Sequence, residues 1–230
     1  MKRSKKYKKA LENIDKSKEY TLEEAIELLP KVNICSFDSS VDIHLKIRLK
    51  EKQKKLSIKG STKLPNKVGQ SVRIAVITTN EHQEEAKSAD IVGGEDLIQK
   101  IEKGEIDFDI LIATPDIMAK VAKLGRILGP KGKMPNPKNG TVTTDLDGTI
   151  ESYKEGKTNF KVDKQGGIHM KIGSINMEKE KLQENIITFL KAVYQEIKNL
   201  NPVPFKSIIL APSMGPSIKL DVNEVIKNLT

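Results

Sequence analysis

Tryptophan is absent from this 230-residue chain, aromatic residues supply 4% of it, and there is one cysteine, Cys35. A lone thiol excludes an intrachain disulfide, and its place beside Ile34 and Phe37 suits a small half-buried packing residue rather than a nucleophile. No segment reaches the roughly twenty apolar residues that a membrane-spanning helix requires. The opening segment MKRSKKYKKALENID carries cations with no apolar run behind them, so neither a membrane anchor nor a secretory signal is expected. His44, His82 and His169 show no HExxH spacing and no cysteine partners, so no metal and no cofactor are expected.

Acid is missing from one long stretch. Ile117 to Thr144 holds six cations (Lys120, Lys123, Arg126, Lys131, Lys133, Lys138) and no Asp or Glu. Within it, Leu124 to Gly140 packs three prolines, four glycines and four basic residues into 17 positions. Prolines lack an amide hydrogen and fix φ, and glycines tolerate backbone angles closed to other residues, so an ordered, irregular loop is expected here. A basic, acid-free loop reads as a phosphate-facing surface, with a solvated connector as the alternative.

What is abundant is positive charge. Forty Lys and Arg against 31 Asp and Glu give a net charge of +9 and a pI near 9.3, which favours a polyanionic partner or an anionic surface. The length suggests two modest domains.

The hydrophobic pattern divides the chain. Thr21 and Glu24 have capping-box spacing, and Leu22, Ala25, Ile26 and Leu29 then recur at helical intervals up to Pro30, where a helix is expected to stop. From Val41 to Leu49, apolar residues alternate with Asp42, His44, Lys46 and Arg48, which predicts a strand with one wet, basic face. Between residues 72 and 116 the pattern changes to compact β-rich runs, VRIAVITT and FDILIAT, each leading towards a helix, which points to parallel βαβ units. After Gly156 alternation returns in IHMKI, SIILA and IKLDV, with a long amphipathic helix containing Leu182, Ile186, Leu190, Val193 and Ile197. A discontinuous layout follows. Residues 1–67 and 159–230 are expected to form an outer α+β domain with an antiparallel sheet, and 68–158 an inserted Rossmann-like three-layer α/β domain. The insert holds 12 cations against 15 acids, net −3, which leaves 28 against 16, net +12, on the outer domain. The basic loop is therefore an isolated patch on an acidic body.

His44 reads as a residue of a polar strand face and His82 as part of an exposed acidic turn. His169 stands in VDKQGGIHMKIG, where Lys164 and Lys171 supply cations and Gly166 and Gly167 flexible backbone, a mix suited to a phosphate or a 2′-hydroxyl. A nucleotide-binding enzyme is the rival class. Against it, GRILGPKG is neither GxGxxG nor GxxxxGK[ST], follows a helix rather than a strand, and spends on proline the amides a phosphate cradle would use.

The segments LGRILGPKGKMPNPKNGTVT, ADIVGGEDLIQKI and DFDILIATPDIM, with SFDSSVDIHLKI, NFKVDKQGGIHMKIG and APSMGPSIKL further out, resemble the L-one family of large-subunit ribosomal proteins, bacterial or organellar type. The resemblance spans nearly the whole chain. It implies a non-enzymatic protein, monomeric outside the ribosome, that binds large-subunit ribosomal RNA to form the mobile stalk near the exit site. It also implies help in releasing deacylated tRNA and, in many bacteria, translational repression through binding of its own mRNA. The place of work would be the cytoplasm, on ribosomes, or an organelle. A non-ribosomal RNA-binding regulator is the alternative.

In that family the principal RNA site lies on the outer domain. Carried onto this chain it comprises Phe37, Asp38 and Ser40, then Ser213, Met214, Gly215 and Pro216, with Lys164 and His169 nearby. Phe37 and Met214 offer apolar surface for ribose, Ser40 and Ser213 offer hydroxyls, and Gly215 permits close backbone approach. Without the resemblance, Phe37 reads equally as core and 214–216 as a plain turn. Three departures stand out. Serine replaces the family's usual threonine at Ser40 and Ser213, residues 51–71 lack the common glycine-rich form, and Glu105 stands where tryptophan is frequent. The loop cations Arg126, Lys131, Lys133 and Lys138 are read as a secondary surface for tRNA or an outer RNA loop.

Overall fold

The computed structural model describes residues 4–48, 58–69, 72–79, 86, 88–104, 106–163, 165–198 and 205–229, without the side chains of 138, 228 and 229. In chain order the elements are α1 (Lys5–Glu12), α2 (Leu22–Val32), β1 (Ser40–Ile47), β2 (Lys59–Lys63), β3 (Ile74–Ile77), β4 (Ile91–Gly93), α3 (Glu95–Glu102), β5 (Ile110–Ala113), α4 (Met118–Val121) and α5 (Gly125–Leu128). They continue with α6 (Leu146–Lys154), β6 (Lys157–Lys161), β7 (Gly167–Ser174), α7 (Lys179–Ile197), β8 (Phe205–Pro212), β9 (Ile218–Leu220) and α8 (Val222–Leu229). The chain divides into two compact units, one of Met1–Gly69 with Asn159–Thr230, the other of Gln70–Thr158.

The first unit is built on a four-stranded antiparallel sheet in the order β7-β1-β8-β9. Alternation along β1 puts Val41, Ile43, Leu45 and Ile47 on the buried face, where they join the core formed with α2 and α7. α7 contributes Leu182, Ile186, Phe189, Leu190 and Val193, and Phe189 meets Phe160 edge to face at 5.8 Å. Each such side chain removed from water contributes about 2 kcal/mol. The opposite face carries Asp42, His44 and Lys46, neither buried nor apolar. β2 pairs with β6 in a separate two-stranded sheet.

Of the two ends of α2, only the first lies where the sequence puts it. Glu24 donates its amide to Thr21 Oγ1 at 3.2 Å and returns a carboxylate to the Thr21 amide at 3.2 Å, the reciprocal capping box. Pro30 does not end the helix as expected: α2 runs on to Val32. Pro30 falls in the last turn, where it removes a single hydrogen bond, while Leu29 and Val32 on either side are wholly buried and hold the turn in place.

The second unit has a parallel three-stranded sheet, β4-β3-β5, extended by a bridge from Ala113 to Val142. One face packs Ala75, Ile77, Leu111 and Ala113 against α3 and the helical segment from Ile117 to Leu128. The other packs Ile74, Val76 and Ile112 against Leu146, Ile150 and Tyr153 of α6. Helices on both faces of a parallel sheet make this a three-layer α/β unit.

The proline-rich segment departs from its expected form at its start. Gly125–Leu128 is a helical turn, α5, because Gly125 and Gly129 hold ordinary helical φ values of −56° and −58°. Only Gly132 and Gly140, both at φ 70°, use the left-handed region. The segment is ordered from within: Lys133 donates its amide to the Leu128 carbonyl at 3.1 Å, Asn136 its amide to Thr141 Oγ1 at 2.7 Å, and Tyr153 its hydroxyl to the Asn139 carbonyl at 2.9 Å.

Asn185 is wholly buried on α7, accepts from the Asn66 amide at 3.0 Å, and donates to the carbonyls of Asn66 and Ile172 at 3.1 and 3.0 Å. Asn185→Ala strips partners from three backbone groups and leaves a void. Urea unfolding of this variant is expected to show a loss of about 3 kcal/mol or more.

Candidate nucleic-acid interface

Strand pairing brings two distant loops together. β1 pairs with β8 so that Val41 faces Pro212, and the Ser213 amide donates to the Ser40 carbonyl at 3.0 Å. The loop leading into β1 (33–39) therefore lies against the turn leaving β8 (212–216), and two further hydrogen bonds tie them. Cys35 Sγ reaches the Ser213 carbonyl at 3.4 Å, and Ser213 Oγ approaches the Ser40 carbonyl at 3.4 Å.

The loop at 33–39 is held from inside. Asn33 Oδ1 accepts from the Cys35 amide at 3.1 Å and from the hydroxyl of the wholly buried Ser39 at 2.9 Å, and Asp38 accepts from the Ser174 hydroxyl at the end of β7. With these polar groups satisfied internally, the chain leaves one large apolar side chain outside: Phe37 is 57% exposed. The turn does the same with Met214, 77% exposed and the single non-glycine residue among those described with positive φ, 61°. Such a conformation costs about 1 kcal/mol in a residue with a Cβ. Gly215 has no room for a side chain, since a Cβ there would lie 2.5 Å from Pro212 Cγ and 2.9 Å from the Val32 carbonyl oxygen. The buried ring of Pro216 then closes the turn, so its part is to fix backbone rather than to present surface. Phe37 and Met214 are two of the three large exposed apolar side chains among the described residues, the third being Val92.

The wet face of the sheet continues from this end. On β1, Ser40, Asp42, His44 and Lys46 point the same way, and β7 sets His169 opposite His44 and Lys171 opposite Asp42. His44 Nδ1 and His169 Nδ1 are 2.9 Å apart, with the rings edge to face at 5.0 Å. Partial burial, with the charge of His169 as a second cause, holds His44 below the ordinary histidine range against the pull of Asp42. His169 Nε2 lies 3.8 Å from Asp163 Oδ2. Asp163 is itself held below the usual carboxylate range, first by the Gly167 backbone N–H and then by Gln165, Lys46 and His169. Lys164 and His82 lie outside the described residues.

In the second unit the basic loop presents fewer cations than its composition suggests. Arg126 and Lys131 are exposed, whereas the Lys133 ammonium turns inward to donate to the Phe108 carbonyl and sits 5.5 Å from the Phe108 ring centre. The side chain of Lys138 lies outside the described set. Lys120 is paired with Glu95. Among the described residues no group of three or more His, Cys, Asp or Glu could hold a metal ion, and no helix is long and apolar enough to cross a membrane.

Sequence reasoning passed over the partnership of His44 with His169 and the brace formed by Asn33 and Ser39. Its alternation pattern put His44 on the polar face, but the register that sets His169 opposite it is fixed by pairing between residues 125 positions apart.

These features define a two-unit protein whose exposed apolar anchors and wet basic sheet face suit recognition of RNA. The model of the ribosomal protein L1p/L10e family matches residues 25–216. The large ribosomal subunit protein uL1 of Kosmotoga olearia is 42% identical over 98% of this chain and 99% of its own length. That of Persephonella marina is 43% identical over 99% and 97%, and that of Fervidobacterium nodosum 42% identical over 96% of each. The chain belongs to the ribosomal protein L1p/L10e family. It is a structural constituent of the large ribosomal subunit and not an enzyme.

Met214→Gly relieves the positive-φ strain while removing the side chain. Thermal or urea unfolding is expected to show stability unchanged or raised by up to about 1 kcal/mol, and a clear loss would show that the Met214 side chain packs rather than projects.

Proposed function

We propose that this protein binds large-subunit ribosomal RNA through the end of the antiparallel sheet where Phe37, Asp38 and Ser40 meet Ser213, Met214, Gly215 and Pro216, with Lys164 and His169 extending the contact. The observation that carries this reading is the exposure of Phe37 and Met214 on two loops that hydrogen bonds at Ser213 hold together. A monomeric protein has no internal use for two such side chains on tightly braced backbone, one of them strained. RNA has a use for both: flat or polarisable surface packs on ribose and exposed bases, and the nearby hydroxyls of Ser40 and Ser213 address 2′-hydroxyls. Serine in place of threonine keeps those hydroxyls and gives up a methyl contact.

The proposal extends to a wider role, which family membership supports. Bound to its RNA, the protein forms the mobile stalk beside the exit site and assists departure of deacylated tRNA, with Arg126 and Lys131 on the exposed part of the basic loop as the secondary contact. An RNA of the same shape in the protein's own mRNA makes it a translational repressor. The work is done in the cytoplasm, on the ribosome.

Met214→Asp places a carboxylate against phosphate and ribose. It is expected to weaken binding of a large-subunit stalk RNA about a hundredfold at constant salt, with the fold intact by circular dichroism. The double variant Arg126→Glu, Lys131→Glu is expected to change the same affinity by less than about threefold, because those side chains belong to the other unit. Unchanged affinity in Met214→Asp would move the primary site elsewhere.

A further inference from the structure

Between β1 and β7 the wet sheet face brings two imidazoles together, those of His44 and His169, joined at Nδ1 across 2.9 Å. At that distance one Nδ1 carries hydrogen and the other is bare. The pair is therefore satisfied with no excess proton, or with one proton shared as a charge-assisted hydrogen bond. A second excess proton puts hydrogen on both facing nitrogens, and the contact must break.

Of the charged neighbours, Asp42 on β1 raises the proton affinity of His44 and His169 lowers it. Lys46 is the next outward residue of β1 after His44, and Lys171 on β7 stands opposite Asp42. Asp163, before β7, faces the outer nitrogen of His169 at 3.8 Å and is engaged by the amides of Gly167 at 2.6 Å and Gln165 at 2.8 Å. On β8 the residues level with Asp42, His44 and Lys46 are Ala211, Ile209 and Ser207, none of them charged, so nothing on that side offsets a second cation. Lys219, opposite Ile209 on β9, is paired with Glu19. In the free protein partial burial, and then the charge of His169, thus hold His44 below the ordinary histidine range despite Asp42, on the same outward row of β1 as Ser40.

We propose that His44 and His169 together form a phosphate-binding element of the RNA face, and that docking of RNA drives uptake of one proton from solvent by this pair. In the complex the bare Nδ1 takes up the proton from solvent, and phosphate oxygens of the RNA accept from both Nδ1–H groups. The hydrogen bond between the rings breaks, two charge-assisted bonds to RNA form, and His44 becomes an RNA-contacting residue in its own right. The inference rests on the RNA-binding reading above and adds to it a second histidine and a linked proton.

The sign follows from linkage. RNA phosphate favours the charged ring, so the affinity of His44 for a proton is higher in the complex than in the free protein, and RNA binding must tighten as pH falls between those two values. A single linked proton gives at most a tenfold change per pH unit. Because the free value lies below the ordinary one near 6.5, the lower edge of the window lies below that value.

The test measures affinity of the whole protein for a stalk fragment of large-subunit ribosomal RNA, and for an unrelated RNA duplex of equal length, from about pH 8 to about pH 6 at fixed salt. The wild type is expected to bind the stalk fragment roughly five- to tenfold more tightly at the low end. His44→Gln and His169→Gln flatten that profile, and His82→Gln retains it. Should the glutamine variants misfold, proton NMR of the His44 ring in the wild type gives the same answer: its titration midpoint rises on adding RNA. A flat or inverted wild-type profile, a slope that survives in His44→Gln, or a midpoint that falls on adding RNA overturns the proposal. Equal affinity for stalk fragment and duplex at every pH overturns the RNA-binding reading itself, an outcome distinct from specific binding without a slope.

Discussion

The pairing of β1 with strands from the far end of the chain is the constraint on which the rest of the first unit depends. β1 is followed by the whole second unit, yet both of its neighbours, β7 and β8, come after that unit. Each side of β1 has one break in register, at Val41/Asp42 against β7 and at Lys46/Ile47 against β8. Those irregularities shift which residues stand opposite one another without moving Val41, Ile43, Leu45 and Ile47 off the buried face. A slip by one residue would send all four into water and the histidines into the core. The hydrophobic face thus fixes the register, and the register fixes everything on the wet face: Ser40 beside Ser213, His44 opposite His169, Asp42 opposite Lys171.

The two loops at the sheet end show how rigidity and exposure are combined. Around Phe37 the loop is braced by Asn33, which accepts from the Cys35 amide and the Ser39 hydroxyl, and by Asp38, which accepts from the Ser174 hydroxyl, while the aromatic ring projects. Around Met214 the strained φ is imposed by neighbours that cannot yield: Gly215 is wedged against Pro212 and the Val32 carbonyl, and Pro216 is buried. Both anchors are pre-placed, so little ordering entropy is lost when a ligand arrives. The second unit treats its charges differently. Lys133 is absorbed into loop structure through Phe108 and Lys120 is paired with Glu95, which leaves a smaller basic patch than the acid-free sequence implied.

What the sequence made legible was local. The alternation of Val41 to Ile47, the capping box at Thr21 and Glu24, the helical spacing along α7 and the change of pattern in the middle of the chain each reflect a preference written within a few residues, and each corresponds to an element in the structure. Pro30 misled because its cost depends on position within the helix, and that position was set by the burial of Leu29 and Val32. The run from Leu124 was read wholly as loop because glycine permits unusual angles, though Gly125 and Gly129 do not use them. Lys133 and Phe108, Asn33 and Ser39, and the two histidines were illegible for another reason. Their roles come from partners that only the folded chain supplies. The residues of the candidate site became readable through family resemblance, not through propensity: nothing local distinguishes Phe37 from a core phenylalanine.

The insertion of the second unit's sequence between the two parts of the first has a temporal meaning. Ser40 and Ser213, the residues that tie the two site loops together, are separated by 173 positions. At synthesis rates of about 5–20 residues per second, the first loop waits roughly 10 to 35 s for the second to be made. β1 has no neighbour until β7 is made, and the two loops have no common platform until β8 follows. The second unit, made from a continuous stretch, can fold during that wait. On the proposed reading, a chain made only as far as the second unit lacks the surface that would commit it to RNA, and readiness to bind reports that residues 213–216 have been made.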